Sequence, residues 1–295
     1  MRLHGAEIVD TFAEAFPMWG SRVLITAATP AWALEAGRSM TGFATSVIGC
    51  KCEASIEREL APDETPDGRP GVSALLFAMD REGVAKRLVE RVGQSVLTSP
   101  TAACFNGLDA EDTVDVGGQL RFFGDGYQAS KVLDGQRYWR VPVMEGEFLV
   151  QERFGVVEGV AGGNIIMLGR DAASALRAAA AAASAMRAVE GVIMPFPGGI
   201  ARSGSKVGSR YSALPASTND ALCPTLRGQV EHTEVPPDVE AVFEIVIDGL
   251  ALEPVREAMR RGLVAAAEAG ASHVTAGNYG GSLGPHHIHL RELVP

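Results

Sequence analysis

The stretch NIIMLGRDAASALRAAAAAASAMRAVEGVIMPFPGG, residues 164–199, decides how this chain folds. Residues 164–169 are an apolar run of strand length, and 191–199 begin as a second such run before Pro and Gly break it. Residues 171–189 between them are mostly alanine, the strongest helix former, and Asp171 stands where an N-cap acceptor belongs. The segment therefore predicts strand, helix, strand. The rhythm recurs in FEIVIDG (243–249), EPVREAMRRGLVAAAEAG (253–270) and HVTAGNYGG (273–281).

The first half has the same order. RVLITA (22–27), PAWALEAGRSM (30–40) and FATSVIG (43–49) read as strand, helix and strand. SALLFAM (73–79), REGVAKRLVERVGQSV (81–96) and a short strand near TAACFNG (101–107) follow. Val84, Leu88, Val89 and Val92 share one helical stripe. Two copies of a doubled βαβ pattern predict an α+β chain of two ferredoxin-like, split βαβ lobes, with mostly antiparallel sheets flanked by helices. The expected division is 1–150, including a β-rich bridge from LRFFGDGYQ (120–128) to RYWRVPVMEGEFLV (137–150), and 151–295.

With 295 residues, 46% hydrophobic and 21% charged, the chain has the composition of a globular protein. A net charge of −10 argues against a nucleic-acid partner or an anionic membrane surface. The N-terminus lacks the pattern of a secretory signal, and no apolar run is long enough for a membrane span. Four cysteines form neither a disulfide framework nor paired C-x-x-C knuckles, which suits a reducing cytoplasm.

Familiar chemical motifs are missing. There is no dinucleotide fingerprint or phosphate loop in the required context, and GSKVGS (204–209) matches the latter only loosely. No G-x-S-x-G elbow appears. In GPHHIHL (284–290), strand alternation puts His286 opposite His287 and His289, so an edge strand is expected there rather than a metal centre. Cys104 has no basic neighbour in sequence to mark it as a nucleophile.

One residue stands out. In AVFEIVIDGL (241–250), Phe243, Ile245 and Ile247 point to one face of a strand, and Val242, Glu244 and Val246 to the other. A carboxylate between two valines is costly unless it is paired; otherwise its pKa rises and it keeps a proton near neutrality. Such a carboxyl can act as a general acid or donate to an oxyanion. Two long irregular stretches, DETPDGRPG (63–71) and residues 198–225, suit loops, and the Ser, Asn, Lys and Gly of the second suit a polar ligand cleft.

The chain resembles the formylmethanofuran–tetrahydromethanopterin formyltransferases over nearly its full length. The resemblance is carried by GAEIVDTFAEAF (5–16), RVLITAA (22–28), TGFATSVIGC (41–50), ETPDGRPGV (64–72), FFGDGYQ (122–128), VEGVAGGN (157–164), PFPGGIARSGSKVGSRY (195–211), LPASTNDALCPT (214–225), FEIVIDGL (243–250) and TAGNYGGSLG (275–284). It implies a cytoplasmic one-carbon enzyme with no metal or prosthetic group, moving a formyl group between a methanofuran-type amine carrier and N5 of tetrahydromethanopterin. It also implies two α/β lobes, self-association into dimers or tetramers, and, for a bacterial methylotroph's version, amidohydrolase-type partner subunits. The family's catalytic glutamate falls on Glu244. Residue type then nominates Gly198, Gly199, Asn278, Gly280 and Gly281 for close approach of a flat ring, Ser205 and Asn219 for polar contacts, and Arg202, Lys206 and Arg210 for the carboxylates of a carrier tail. The competing reading is a non-catalytic subunit that holds the carrier for a hydrolase. A buried acid favours the enzyme, because a scaffold has no use for one.

Overall fold

The computed structural model describes residues 1–294. The chain divides into two compact units, Met18–Gly159 and Met1–Pro17 with Val160–Pro295. The sequence predicts a single division after residue 150, whereas the first seventeen residues belong with the second unit.

The unit 18–159 draws on β1 (Phe12–Thr26), α1 (Pro30–Thr41), β2 (Glu53–Leu60), β3 (Gly71–Ala78), α2 (Arg81–Arg91) and β4 (Ala103–Asn106). The strands lie in the order β4–β1–β3–β2, every neighbouring pair antiparallel. That order is the split βαβ signature. Ala36 and Met40 of α1 and Val84 and Leu88 of α2 join Val23, Ile25, Val72, Ala74 and Leu76 of the sheet in one apolar core. The β-rich bridge is an antiparallel meander, Ala129–Leu133, Gln136–Val143 and Gly146–Gln151, whose last strand runs parallel to β4.

The other unit repeats the plan with β5 (Val157–Gly169), α3 (Ala172–Met186), β6 (Val192–Ile193), β7 (Ala241–Gly249), α4 (Leu252–Glu268) and β8 (His273–Thr275). Its order is β8–β5–β7–β6, again antiparallel throughout. Asp171 caps α3 as expected, accepting the Ser174 N–H at 2.7 Å. The alanine face of α3 (Ala178, Ala179, Ala182 and Ala183) is fully buried. Small side chains let α3 and α4 approach closely: a Cβ on Gly262 would fall 2.0 Å from the Met186 methyl. The strand His286–His289 pairs antiparallel with Phe12–Ala15. Among the described residues no helix is long and apolar enough to cross a membrane.

Two expectations need correction. Residues 43–49 are not a strand: Val47–Cys50 form a helical turn, capped by the Ser46 hydroxyl and closed by Lys51 at φ 68°. The strand in that place of the lobe is β2, whose charges hid it. Glu57 is buried there, taking two hydrogen bonds from Arg22 at 2.9 and 2.7 Å and one from the Ser73 hydroxyl at 2.6 Å. The segment 273–281 is strand only as far as Thr275; a loop follows.

Candidate active site

Glu244 sits in the middle of β7, directly opposite Ile166 of β5. Facing residues in adjacent strands share a sheet face, so Glu244 projects beside Ile166 on the side away from the helices. On that face Ile166, Leu168, Leu222, Val235 and Val239 form a small apolar cluster, with Val242 packed against it. The irregular stretch after residue 198 is pinned to β7 here. Ala201 and Glu244 exchange both backbone hydrogen bonds, at 2.8 and 3.0 Å.

The result is a pocket of about 40 Å³ beside the carboxyl, lined also by Arg202, Asn219, Leu222, Cys223 and Ile166. Glu244 is the sole acid in the lining. Burial pushes its pKa from the ordinary 4.5 up to about 7. No hydrogen bond or ion pair among the described residues reaches the carboxyl to oppose this.

The folded chain keeps a proton that the unfolded chain releases near 4.5. The contribution is therefore full below that pH and is lost as pH rises through about 7, by about 3 kcal/mol in total. Glu244→Gln, neutral at every pH, should melt close to wild type near pH 4 and above it near pH 8, by thermal unfolding at about those two pH values. Equal melting of the two proteins at the higher pH contradicts a desolvated carboxyl whose charged form is disfavoured.

A second carboxylate organises the neighbouring loop. Glu14, 2% exposed, accepts backbone N–H groups from Tyr279 at 2.8 Å, Gly281 at 3.1 Å and Gly284 at 2.9 Å, and also from Leu283. Burial pushes its pKa up, but the four N–H donors outweigh this and hold it below the usual carboxylate value. Gly280 and Gly281 take φ 67° and 79°, a backbone that favours glycine. Asn278 donates to the Thr11 hydroxyl and the Phe12 carbonyl. From this loop the Tyr279 hydroxyl donates to the Ser205 carbonyl at 3.3 Å. Burial first, then the charges of Glu244 and Glu14, raise the Tyr279 pKa.

Of the residues nominated from sequence, Arg202 and Asn219 line the pocket with Glu244. Ser205 lies just beyond it, held through its carbonyl. Lys206 is bound to Asp220 at 2.5 Å, an ion pair that lowers the Asp220 pKa. Arg210 is exposed. Gly198 is exposed at φ 64° and accepts from Arg187 at 2.6 Å, while Gly199 is buried against Met194 and Ala183. Asn278, Gly280 and Gly281 shape the Glu14 loop rather than the pocket lining. Sequence reasoning missed Glu14, Tyr279 and Leu222. All three lie in segments that carry the family resemblance, but nothing in the sequence pattern links a glutamate to a loop some 265 residues away. Cys104 is fully buried, and burial pushes its thiol pKa far up, away from thiolate chemistry. Among the described residues no three His, Cys, Asp or Glu side chains converge as a metal site.

Comparison with known proteins finds matches over nearly the whole chain. A family profile described as formylmethanofuran-tetrahydromethanopterin formyltransferase matches residues 1–143, and one described as FTR, proximal lobe, matches residues 146–293. The chain is 57% identical to the formylmethanofuran–tetrahydromethanopterin formyltransferase of Methylococcus capsulatus over 298 residues, covering 100% of each. A solved structure of the Methanosarcina barkeri formyltransferase superposes with a TM-score of 0.95 at 49% identity, covering 99% of this chain and 100% of that one. A chain in the Methylorubrum extorquens formyltransferase/hydrolase complex with methylofuran does so with a TM-score of 0.97 at 51% identity, covering 100% and 99%.

Proposed function

Because the chain belongs to the formylmethanofuran–tetrahydromethanopterin formyltransferase family, we propose that it carries a formyl group directly between a methanofuran-type amine and N5 of tetrahydromethanopterin, with protonated Glu244 stabilising the oxyanion. The acceptor nitrogen attacks the formyl carbon, and the carbonyl oxygen takes up charge that the Glu244 proton meets by hydrogen bonding. The bond to the donor nitrogen then breaks, and the proton from the attacking N–H ends on the departing nitrogen. Such a transfer needs proximity, orientation and one well-placed donor, but no protein nucleophile.

The observation that carries this reading is a lone acid, raised to a pKa of about 7, in a pocket with room for a group of few atoms. Arg202 at the pocket edge suits a carboxylate of the carrier. The reaction serves both directions. The complex named for the Methylorubrum relative supports hydrolase partners for this chain. Self-association belongs to the same proposal.

Direct transfer requires both carriers on the enzyme at once. Initial rates with each carrier varied at fixed levels of the other should give intersecting double-reciprocal lines. Parallel lines, the mark of a covalent formyl-enzyme, would overturn the ternary complex.

A further inference from the structure

One wall of the Glu244 pocket is a flap laid against the sheet. Ala201, Arg202, Ser203 and Gly204 line the pocket and belong to the irregular stretch after residue 198. That stretch braces itself. Lys206 and Val207 pair antiparallel with Ser217 and Ala216, and the Thr218 hydroxyl donates to the Ser203 carbonyl at 3.2 Å. Internal bonds stiffen a flap without fixing it to anything else. At its near end it is tied to the sheet by the two backbone bonds between Ala201 and Glu244, and at its far end by Leu222 in the apolar cluster. Between those ends the Tyr279 hydroxyl donates to the Ser205 carbonyl at 3.3 Å. Tyr279 is itself fastened, because buried Glu14 accepts its N–H at 2.8 Å and also holds Gly281, Leu283 and Gly284. Its ring is half-buried, and the nearby charges of Glu244 and Glu14 oppose loss of the phenol proton, so the hydroxyl stays a donor.

We propose that Tyr279 is a positioning residue whose hydroxyl, anchored through Glu14, latches this flap shut over Glu244 and keeps water from the acid. Its effect on rate rests on formyl transfer at Glu244; its effect on the carboxyl does not. Several titratable groups stand around that carboxyl. Arg202 and Cys223 line the pocket, the Lys206–Asp220 pair lies on the flap, and Glu14 stands behind Tyr279. Burial, rather than any of these, is what raises the Glu244 pKa. Water let in past the flap therefore brings it back toward 4.5. Removing the Tyr279 hydroxyl without opening the flap would do the reverse, because Phe leaves the carboxyl as dry as before or drier. The direction of the change separates a latch from ordinary packing.

The test is made on the full-length protein with Tyr279→Phe, which keeps the ring and its packing. Infrared difference spectra between each protein and the same protein carrying Glu244→Gln follow the protonated carboxyl as pH is raised. Its midpoint, about 7 in the wild type, should fall by about half a pH unit or more in Tyr279→Phe. The rate of formyl transfer should fall by about three- to tenfold at about pH 8, the size of one lost hydrogen bond, and by much less at about pH 6, where Glu244 holds its proton in either protein. In the Glu244→Gln background the substitution should add little to the loss of kcat, because Tyr279 acts through that acid. A merely structural role would lower the rate equally at both pH values and leave the midpoint where it was. That result, or a midpoint that rises, overturns the latch. A midpoint that falls while Glu244→Gln keeps full formyl transfer would leave the latch standing and bring down the chemical role of Glu244.

Discussion

Glu244→Gln should lower kcat for formyl transfer by about a hundredfold or more, while KM for each carrier stays within about threefold. The amide has the carboxyl's shape and an N–H, so the pocket and its Ala201 pairing survive. It is a weaker donor and cannot share its proton with a developing oxyanion. An interaction that is stronger in the transition state than in the ground state appears in kcat rather than KM. Wild-type kcat should be highest below about pH 7 and fall above it, because burial sets the pKa of the acid there. The Gln variant should lose that limb. A variant with wild-type kcat, or one that keeps the alkaline decline, would remove Glu244 from the chemistry and leave the family assignment standing.

Glu14→Gln should be the most damaging conservative change elsewhere in the second unit. The carboxylate accepts four backbone N–H groups with its two oxygens. Gln supplies one oxygen and turns an N–H₂ toward the remaining donors, in a place that is 2% exposed. Leaving buried donors unmet and facing one another costs on the order of 3 kcal/mol. The loss should appear as a lower midpoint in urea and as fast amide exchange through residues 279–284. Its pH dependence runs opposite to that of Glu244. The folded pKa of Glu14 lies below the ordinary value, so its contribution is present above that value and is lost as pH falls through the folded one. Acid should therefore narrow the gap between wild type and Glu14→Gln. Unchanged exchange in 279–284 would mean that the loop holds its shape without the charge.

Much of this was legible in the residues. The helices announced themselves by composition and stripe, and the split βαβ plan followed from their alternation with short apolar runs. Glu244 was visible because strand periodicity is strict: one carboxylate between Val242 and Val246 breaks the pattern. What stayed hidden were features in which a charge is satisfied from far away. EASIEREL (53–60) looks too charged for a strand until Arg22 and Ser73 are seen to meet Glu57. Glu14 looks like a surface residue until the loop from Tyr279 to Gly284 closes on it. Lys206 reads as a free cation for a ligand, yet Asp220 holds it. Residue type proposes partners; only the fold decides between a ligand and the chain itself.

The backbone bond between Glu244 and Ala201 has a use as a reporter. The amide proton of Glu244 is held by the Ala201 carbonyl at 3.0 Å, and Ala201 begins the wall that carries Arg202. The wall cannot lift away without releasing that proton to solvent. Isotope exchange at this single peptide group would thus time each opening of the wall, and its slowing as a carrier is added would mark when the doorway is shut.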